Sequence, residues 1–366
     1  MRRALAWTAV IVGVLAIGGA VVSLAQRGPA VSSATNRGLT AVAGLKVGHH
    51  TLSERPTGCT VVVVDGDGAI GGVAQRGGAP GTRDVALLDP VNSVEYVNAI
   101  FLAGGSAYGL AVGDGVSRYL AEKKVGFKIA GTVVPIAPGA ILMDLWFGGD
   151  SSIRPAADCG YRAASSATDG AVAEGNIGAG AGSTVGKTAG SNRAMKAGVG
   201  TAAITLSNGL VVAALVAVNA VGDVIDPSTG AIVAGVRTED GKRLADARVL
   251  MRTVRPSGNA PKAGENTTIA VVATNARLTK AEASRMALMA DDGLARAINP
   301  AHTPADGDTV FALATGKWQG QADVLTIGAL AAEALSEAIV RAATQATASG
   351  GLPSARDLGT VPSRLK

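Results

Sequence analysis

The sequence contains few of the residues on which most hydrolases and nucleic-acid-binding proteins depend. Its 366 residues include three histidines, and aromatic residues make up 3% of the chain. No HExxH, GxSxG or CxxC sequence occurs, so the signatures of zinc peptidases, α/β-hydrolases and thiol oxidoreductases are missing. A Ser-His-Asp triad would have to use His49, His50 or His302. We therefore expect neither a metal site nor a cofactor.

Cysteine and clustered charge are sparse as well. Cys59 and Cys159 are far apart in the sequence; they could form a disulfide, but we favour two small buried residues without a bond. The net charge is +5, yet lysine and arginine form no block beyond the N-terminus, and few aromatic residues could stack on bases. Nucleic acid is therefore not an expected partner.

The N-terminus has the pattern of an export signal or a membrane anchor. Arg2 and Arg3 precede an uncharged run over residues 4–26. Residues 23–25 (Ser-Leu-Ala) fit a signal-peptidase site, but the run is also long enough to span a bilayer, so both interpretations of residues 1–26 stay open. Either way we expect a protein exported to the periplasm or the medium, or anchored in the cytoplasmic membrane by this segment alone.

After a linker at residues 27–37, residues 38–366 are expected to form a single domain. Apolar and β-branched runs predict strands at residues 60–64, 99–103, 201–206, 210–218, 267–274 and 308–315. Helices are predicted at residues 106–123, from the capping box Thr279-x-x-Glu282 onward, and at 323–343. The remaining expectations are a glycine-rich segment at 175–200, a long exposed loop at 235–266 and a tail at 348–366. Hairpins and helices without βαβ units predict a layered α+β domain.

Residues 181–188, AGSTVGKT, nearly match a phosphate-binding loop. The strict motif begins with glycine and joins a strand to a helix, and neither flank fits here. We expect no nucleotide at this segment, although Lys187 remains a candidate for another role.

The most informative local feature is the junction of Asn266 and Thr267, where the polar loop meets an apolar strand. If the chain is cut there, Thr267 becomes N-terminal, and its α-amine has a pKa of roughly 7.7–8.0. Such an amine can take the proton of its own hydroxyl and activate it without a histidine. The competing interpretation is a threonine that merely begins a strand.

Several segments spread along the chain favour the first interpretation. They are GLT and KVGH within residues 38–49, TGCT at 57–60, RGGAPGT at 76–82, LAGGSAYGL at 102–110, the stretch ending at Lys187, Val218-Asn219, NTT at 266–268 and DGD at 306–308. In these segments the sequence resembles the DmpA-type L-aminopeptidase/D-esterase family of N-terminal-nucleophile hydrolases, and in particular its branch of nylon-oligomer (6-aminohexanoate) endohydrolases. The resemblance implies an αββα sandwich of the DmpA/ornithine-acetyltransferase-like type. It also implies self-cleavage into a large chain ending at residue 266 and a small chain of residues 267–366.

The resemblance assigns roles to single residues. Thr267, freed by cleavage after Asn266, is the expected nucleophile and, through its α-amine, the base. Asn219 is the expected side-chain donor to the oxyanion, the alternative being a buried amide with a structural role. Lys187 is the expected lysine beside the nucleophile, the alternative being a solvated surface lysine.

Further expected site residues flank this set. Asp306 and Asp308 form the Asp-x-Asp combination that accompanies threonine in the nylon-oligomer branch, although Asp-Gly-Asp is also an ordinary turn. Tyr108 and Gly105 are expected to line the substrate pocket. Met143-Asp144 stands where this branch is expected to carry an aromatic residue, which puts activity on nylon oligomers in question.

These residues lead us to expect an amidohydrolase or peptidase acting on small peptides or ω-amino-acid oligomers. The alternatives are an acyltransferase of the ornithine acetyltransferase type, against which an exported chain argues, and a non-catalytic anchored binding protein that keeps the 266–267 bond. From the family resemblance we also expect a homo-oligomer.

Overall fold

Two β-sheets lie face to face in the computed structural model, which describes residues 37–253, 266–321 and 323–365. The strands are β1 (Leu45–Thr51), β2 (Gly58–Val64), β3 (Ala69–Gln75), β4 (Thr82–Arg83), β5 (Tyr96–Val97), β6 (Ala99–Ala103), β7 (Phe127–Ile129), β8 (Thr132–Val134), β9 (Gly139–Ile141), β10 (Thr184–Val185), β11 (Met195–Lys196), β12 (Val199–Thr205), β13 (Val211–Asn219), β14 (Asp223–Ile225), β15 (Ile232–Ala234), β16 (Thr267–Thr274), β17 (Ile298–Asn299) and β18 (Thr309–Ala314). The helices are α1 (Val112–Glu122), α2 (Ala157–Ser165), α3 (Ala247–Thr253), α4 (Lys280–Ala297) and α5 (Val324–Thr344).

The first sheet has the order β1-β2-β6-β9-β4 and is covered on its outer face by α1 and α2. Val61 and Phe101 of the sheet share one buried cluster with Val116 of α1 and Ala163 of α2. Apolar side chains on one face of each helix thus seal this face of the sheet against water.

The second sheet has the order β12-β13-β16-β18-β3-β5, with α4 and α5 on its outer face. The layers approach closely because small residues line the contact: a side chain at Gly200 of β12 would come within 2.1 Å of the Ala338 carbonyl of α5. The abundance of glycine and the scarcity of aromatic residues therefore match thin, closely packed layers.

β16 is buried on both faces, which explains its continuous apolar sequence. Ala270 and Val272 face α4 and α5, whereas Ile269 and Val271 face the core between the sheets. Since successive side chains of a strand point to opposite faces, a strand enclosed in this way has no polar face. The expected αββα sandwich is confirmed.

Most local predictions are confirmed. β2, β6, β12, β13, β16 and β18 occur where strands were predicted, and Asn208-Gly209 makes the turn of the β12–β13 hairpin with a φ of +84° at the glycine. α4 begins at the predicted capping box, and α5 is capped by Asp323. The predicted helix at 106–123 begins as a 3-10 helix over Ser106–Ala111.

Two predictions of irregular structure are wrong. The exposed loop at 235–266 contains α3, whose first N–H at Ala247 donates to the buried Asp223 carboxylate at 2.7 Å; residues 254–265 lie outside the described chain. The tail at 348–366 packs against the domain, since the Lys196 N–H donates to the Pro353 carbonyl at 2.9 Å. In both cases a partner distant in the sequence supplies the order.

The interpretation of the two cysteines as unbonded residues is also wrong. Cys59 of β2 and Cys159 of α2 form a disulfide, with their Cα atoms 6.2 Å apart. α2 lies directly on the first sheet, and this packing brings together two residues separated by 100 positions.

Across the described residues, none of the helices combines the length and the apolar character that a membrane span requires. The proposed signal or anchor at residues 1–26 falls outside that part of the chain, so it stays a prediction.

Candidate active site

Three chain segments meet where the neighbouring central strands β13, β16 and β18 of the second sheet begin or end. Asn219, the last residue of β13, pairs directly with Thr267, the first residue of β16. Asp306 precedes β18 and forms a bridge with Asn266. Each of these four residues is at most 3% exposed. The sheet order therefore brings together residues from three distant parts of the sequence.

The Asn266 carbonyl oxygen accepts two hydrogen bonds. Gly307 N–H donates to it at 2.9 Å, and the Thr267 hydroxyl donates to the same oxygen. A side chain at position 307 would lie 2.9 Å from Thr267 Oγ1 and 2.6 Å from the Ala79 carbonyl, so only glycine fits. Asn266 itself is fully buried, and neither polar atom of its side chain has a hydrogen-bond partner among the described residues.

The Asn219 amide is held in one orientation. Its Oδ1 accepts from Lys187 Nζ at 2.9 Å and from Thr184 N–H at 3.1 Å, while its Nδ2 donates to the Met143 carbonyl at 2.8 Å. Because an amide nitrogen carries two hydrogens, one of them remains for a substrate oxygen. Lys187 is 3% exposed, and its Nζ also donates to the Asn219 carbonyl, so it is a buried lysine in contact with Asn219 and not a solvated surface lysine; its role at the site stays a prediction.

Asp306 lies in a mixed electrostatic environment. Its carboxylate accepts from Val221 N–H at 3.2 Å and from the Thr303 hydroxyl. Burial and the neighbouring Asp308 charge raise the pKa of Asp306 to about 6, although its hydrogen bonds from Thr303 and Val221 and the Lys187 charge act in the opposite direction. Asp306 therefore titrates in a range where proton transfer at neutral pH is feasible.

Asp308 contacts the backbone of β16 and a histidine. Its Oδ1 accepts from Thr268 N–H at 2.8 Å, and its Oδ2 accepts from the backbone N–H of His302 at 3.0 Å and lies 3.0 Å from His302 Nδ1. In the sequence His302 was a candidate only for a serine triad, and its contact with Asp308 was not predicted. Its position four residues before Asp306 was the available signal.

The two residues expected to line the pocket have different surroundings. Gly105 is buried, and its N–H donates to Asp144 Oδ1 at 2.9 Å, next to Met143, which bonds Asn219. Tyr108 is 58% exposed, with the Arg154 guanidinium 3.6 Å from its ring centroid. Gly105 thus adjoins the site through the backbone, and the role of Tyr108 stays a prediction.

Asp144, at the position where an aromatic residue was expected, forms a buried ion pair. Its Oδ1 lies 2.7 Å from Arg55 Nη2, and neither side chain is exposed. Its Oδ2 accepts from the Thr57 hydroxyl at 2.6 Å. The Asp144 carboxylate is therefore committed to Arg55 and does not point into a substrate pocket as a free charge.

The phosphate-loop-like segment has a different role in the structure. Its Lys187 bonds Asn219, and the chain continues into a 3-10 turn at Ser191–Arg193 instead of an α-helix. Over residues 37–253, 266–321 and 323–365, no group of three or more His, Cys, Asp or Glu side chains is placed to hold a metal ion.

Comparison with known proteins gives a family and a fold. The model of peptidase family S58 matches residues 37–355. An uncharacterized aminopeptidase of Mycobacterium tuberculosis is 43% identical over 350 residues, which cover 87% of this chain and 97% of the relative. The 6-aminohexanoate-oligomer endohydrolase of Kocuria sp. is 30% identical over 317 residues, covering 82% and 84%.

Solved structures show the same fold. A Burkholderia sp. β-aminopeptidase superimposes with a TM-score of 0.64 at 23% identity, covering 90% of this chain and 94% of that one. The L-aminopeptidase D-Ala-esterase/amidase of Ochrobactrum anthropi, described as a variant of the Ntn hydrolase fold, gives 0.63 at 17% identity, covering 89% and 95%. The expected Ntn-hydrolase architecture and the resemblance to nylon-oligomer endohydrolases are thereby confirmed.

Proposed function

The chain belongs to peptidase family S58 and is an amide-bond hydrolase, and we propose that it cuts itself between Asn266 and Thr267 and then uses Thr267 as its nucleophile. The observation that carries the proposal is the Asn266 carbonyl, which receives both the Thr267 hydroxyl and the Gly307 N–H. The bond to be cut is therefore polarised, and the attacking oxygen is in contact with it.

Self-cleavage proceeds by acyl transfer from nitrogen to oxygen. Thr267 Oγ1 attacks the Asn266 carbonyl carbon, and the Gly307 N–H stabilises the negative charge that develops on the carbonyl oxygen. The C–N bond breaks, the hydroxyl proton passes to the departing nitrogen, and an ester between the two residues remains. Water then hydrolyses the ester and leaves the Asn266 carboxylate and the free Thr267 amine.

The mature enzyme repeats this chemistry on a substrate. The free amine of Thr267, with a pKa near neutrality, takes the proton of Oγ1 as the hydroxyl attacks the substrate carbonyl. Asn219 supplies its remaining N–H to the oxyanion, and Lys187 fixes the amide in the orientation that makes this possible. A donor of this kind contributes about 3 kcal/mol to transition-state stabilisation.

Small peptides or ω-amino-acid oligomers are the proposed substrates. The relatives carry the names aminopeptidase and 6-aminohexanoate-oligomer endohydrolase. The buried Arg55–Asp144 pair occupies the position where the nylon-oligomer branch is expected to carry an aromatic residue. We therefore propose that the pocket prefers an acyl group other than 6-aminohexanoyl.

Export and assembly are further parts of the proposal. A structural disulfide is typical of proteins that fold outside the reducing cytoplasm, so the Cys59–Cys159 bond supports export through the N-terminal segment. We also propose a homo-oligomer, as the family resemblance implies.

The test is a denaturing gel of the purified protein with N-terminal sequencing of the small band. We expect a fragment beginning Thr-Thr-Ile-Ala, a Thr267→Ala variant that stays one chain and a Thr267→Ser variant that is still cut. Thr268→Val is the matched control, because the neighbouring Thr268 hydroxyl is buried and has no hydrogen-bond partner within the part of the chain that the structure describes. A folded wild-type chain that stays intact would overturn the proposal and favour a binding protein. Transfer of the substrate's acyl group to an added amine instead of to water would favour an acyltransferase.

A further inference from the structure

His302 stands between two buried carboxylates. Its backbone N–H and its Nδ1 both meet Asp308 Oδ2 at 3.0 Å, and its Nε2 lies 3.5 Å from Asp291 Oδ2. Asp291 belongs to α4 and is fully buried, whereas the His302 side chain is 21% exposed. Each ring nitrogen of His302 thus faces an acceptor, an arrangement that suits an imidazolium with two donors.

The two carboxylates connect His302 to the start of β16 and to Arg76. Asp308 accepts the N–H of Thr268, the residue after the proposed nucleophile, at 2.8 Å. Asp291 also pairs with Arg76 at 3.0 Å, and the Arg76 side chain is 46% exposed. A line of alternating charges therefore runs from the surface at Arg76 to the first residues of β16.

We propose that His302 is a positioning residue: its imidazolium holds the Asp308 carboxylate against the Thr268 N–H and so fixes Thr267 for attack. This inference rests on the proposed function of Thr267. His302 touches no reacting atom, and it acts through Asp308 alone. Because only the protonated ring of His302 carries the positive charge, the position of the Asp308 carboxylate depends on pH.

The charged groups around His302 are Asp308 before β18, Asp291 of α4 and Arg76 after β3. Burial by itself lowers the pKa of His302, but the hydrogen bond to Asp308 and the two negative charges outweigh burial and the Arg76 charge, so the pKa is raised. Below that pKa both ring nitrogens carry a proton, and the positive ring is held by the hydrogen bond to Asp308 and by the charge of Asp291. As the pH rises through it, one nitrogen becomes an acceptor facing a carboxylate, and the clamp on Asp308 weakens.

Two substitutions test the inference. His302→Gln removes the positive charge. His302→Asn also removes the charge, and its shorter side chain cannot approach Asp291, although its amide stays near Asp308. His50→Gln is the matched control, because His50 lies in β1 of the other sheet. Self-cleavage and turnover are followed over a series of pH values, with urea unfolding measured in parallel.

We expect both His302 variants to slow self-cleavage and turnover about 10- to 100-fold, the equivalent of one hydrogen bond to a charged group. They should also lose the decline at alkaline pH that the wild-type chain and His50→Gln show. An unchanged pH profile, or an equal loss at every pH together with lower stability, would overturn the positioning role. An uncut wild-type chain would instead overturn the proposed function, so the two failures are distinguishable.

A measurement independent of activity follows the imidazole directly. With three histidines in the chain, NMR signals of the Thr267→Ala protein can be assigned by comparison with His302→Gln. We expect Asp291→Asn to lower the pKa of His302, and an unchanged titration would contradict the proposed charge line.

Discussion

Replacing Asp144 by alanine tests the buried ion pair that adjoins the candidate site. The Arg55 guanidinium would keep its bonds to the carbonyls of Phe147 at 3.1 Å and Ile153 at 2.8 Å, but it would lose its charged partner. The Thr57 hydroxyl and the Gly105 N–H would also lose their acceptor. The Arg55 charge would then be buried without a counter-charge, and two neutral donors would be buried without an acceptor.

The expected loss of stability is large. Breaking a buried ion pair by removing one partner costs about 3–5 kcal/mol, because the remaining charge stays out of water. Each neutral donor left unpaired adds about 1 kcal/mol or more. At roughly 2 °C per kcal/mol for a domain of this size, the melting temperature should fall by at least about 6–10 °C.

The measurement is urea and thermal unfolding in a Thr267→Ala background, where the chain should remain in one piece. Arg55→Met combined with Asp144→Leu serves as the control, since replacing both charges by apolar groups often restores stability. A single Asp144→Ala variant within about 1 kcal/mol of its parent would refute the reasoning, as would an Arg55→Met/Asp144→Leu variant that is less stable than Asp144→Ala.

Three other perturbations give distinct results. Cys59→Ser should lower the unfolding free energy by about 2–5 kcal/mol, and a reducing agent should destabilise the parent but not the variant in thermal unfolding. Because the pKa of Asp306 is raised to about 6, its carboxylate prevails above pH 6, so self-cleavage, in which no free Thr267 amine takes part, should slow as the pH falls from 7 to 5, and Asp306→Asn should cleave slowly without that decline. Gly307→Ala should slow self-cleavage by at least about tenfold on a gel time course, because its Cβ has no room, whereas Gly170→Ala, whose Cβ would meet one hydroxyl at 3.5 Å, should leave it unchanged.

Local sequence patterns predicted the elements of the fold well. The apolar run of β16, the Asn-Gly turn before β13 and the capping box of α4 each depend on residues within one element. The same patterns failed at α3 and at the C-terminal segment, where Asp223 and Lys196 supply hydrogen bonds from distant parts of the chain.

Only part of the candidate site could be predicted from the sequence. Family motifs pointed to Thr267, Asn219 and Lys187, and the structure places these three residues close together. His302 carries no motif of its own, and its contact with Asp308 arises from the course of the chain between β17 and β18.

The sequence by itself determined the six long apolar strands, the helices α1, α4 and α5, the polar-to-apolar boundary at Thr267 and the residue types of the site. Such features follow from periodicity and backbone preferences, which act over a few residues. The tertiary structure alone decided that Asn219 pairs with Thr267, that the Gly307 N–H points at the Asn266 carbonyl and that the two cysteines meet. These contacts depend on strand order, register and the packing of layers, because long-range pairing is set by the burial of the whole core and not by any one segment.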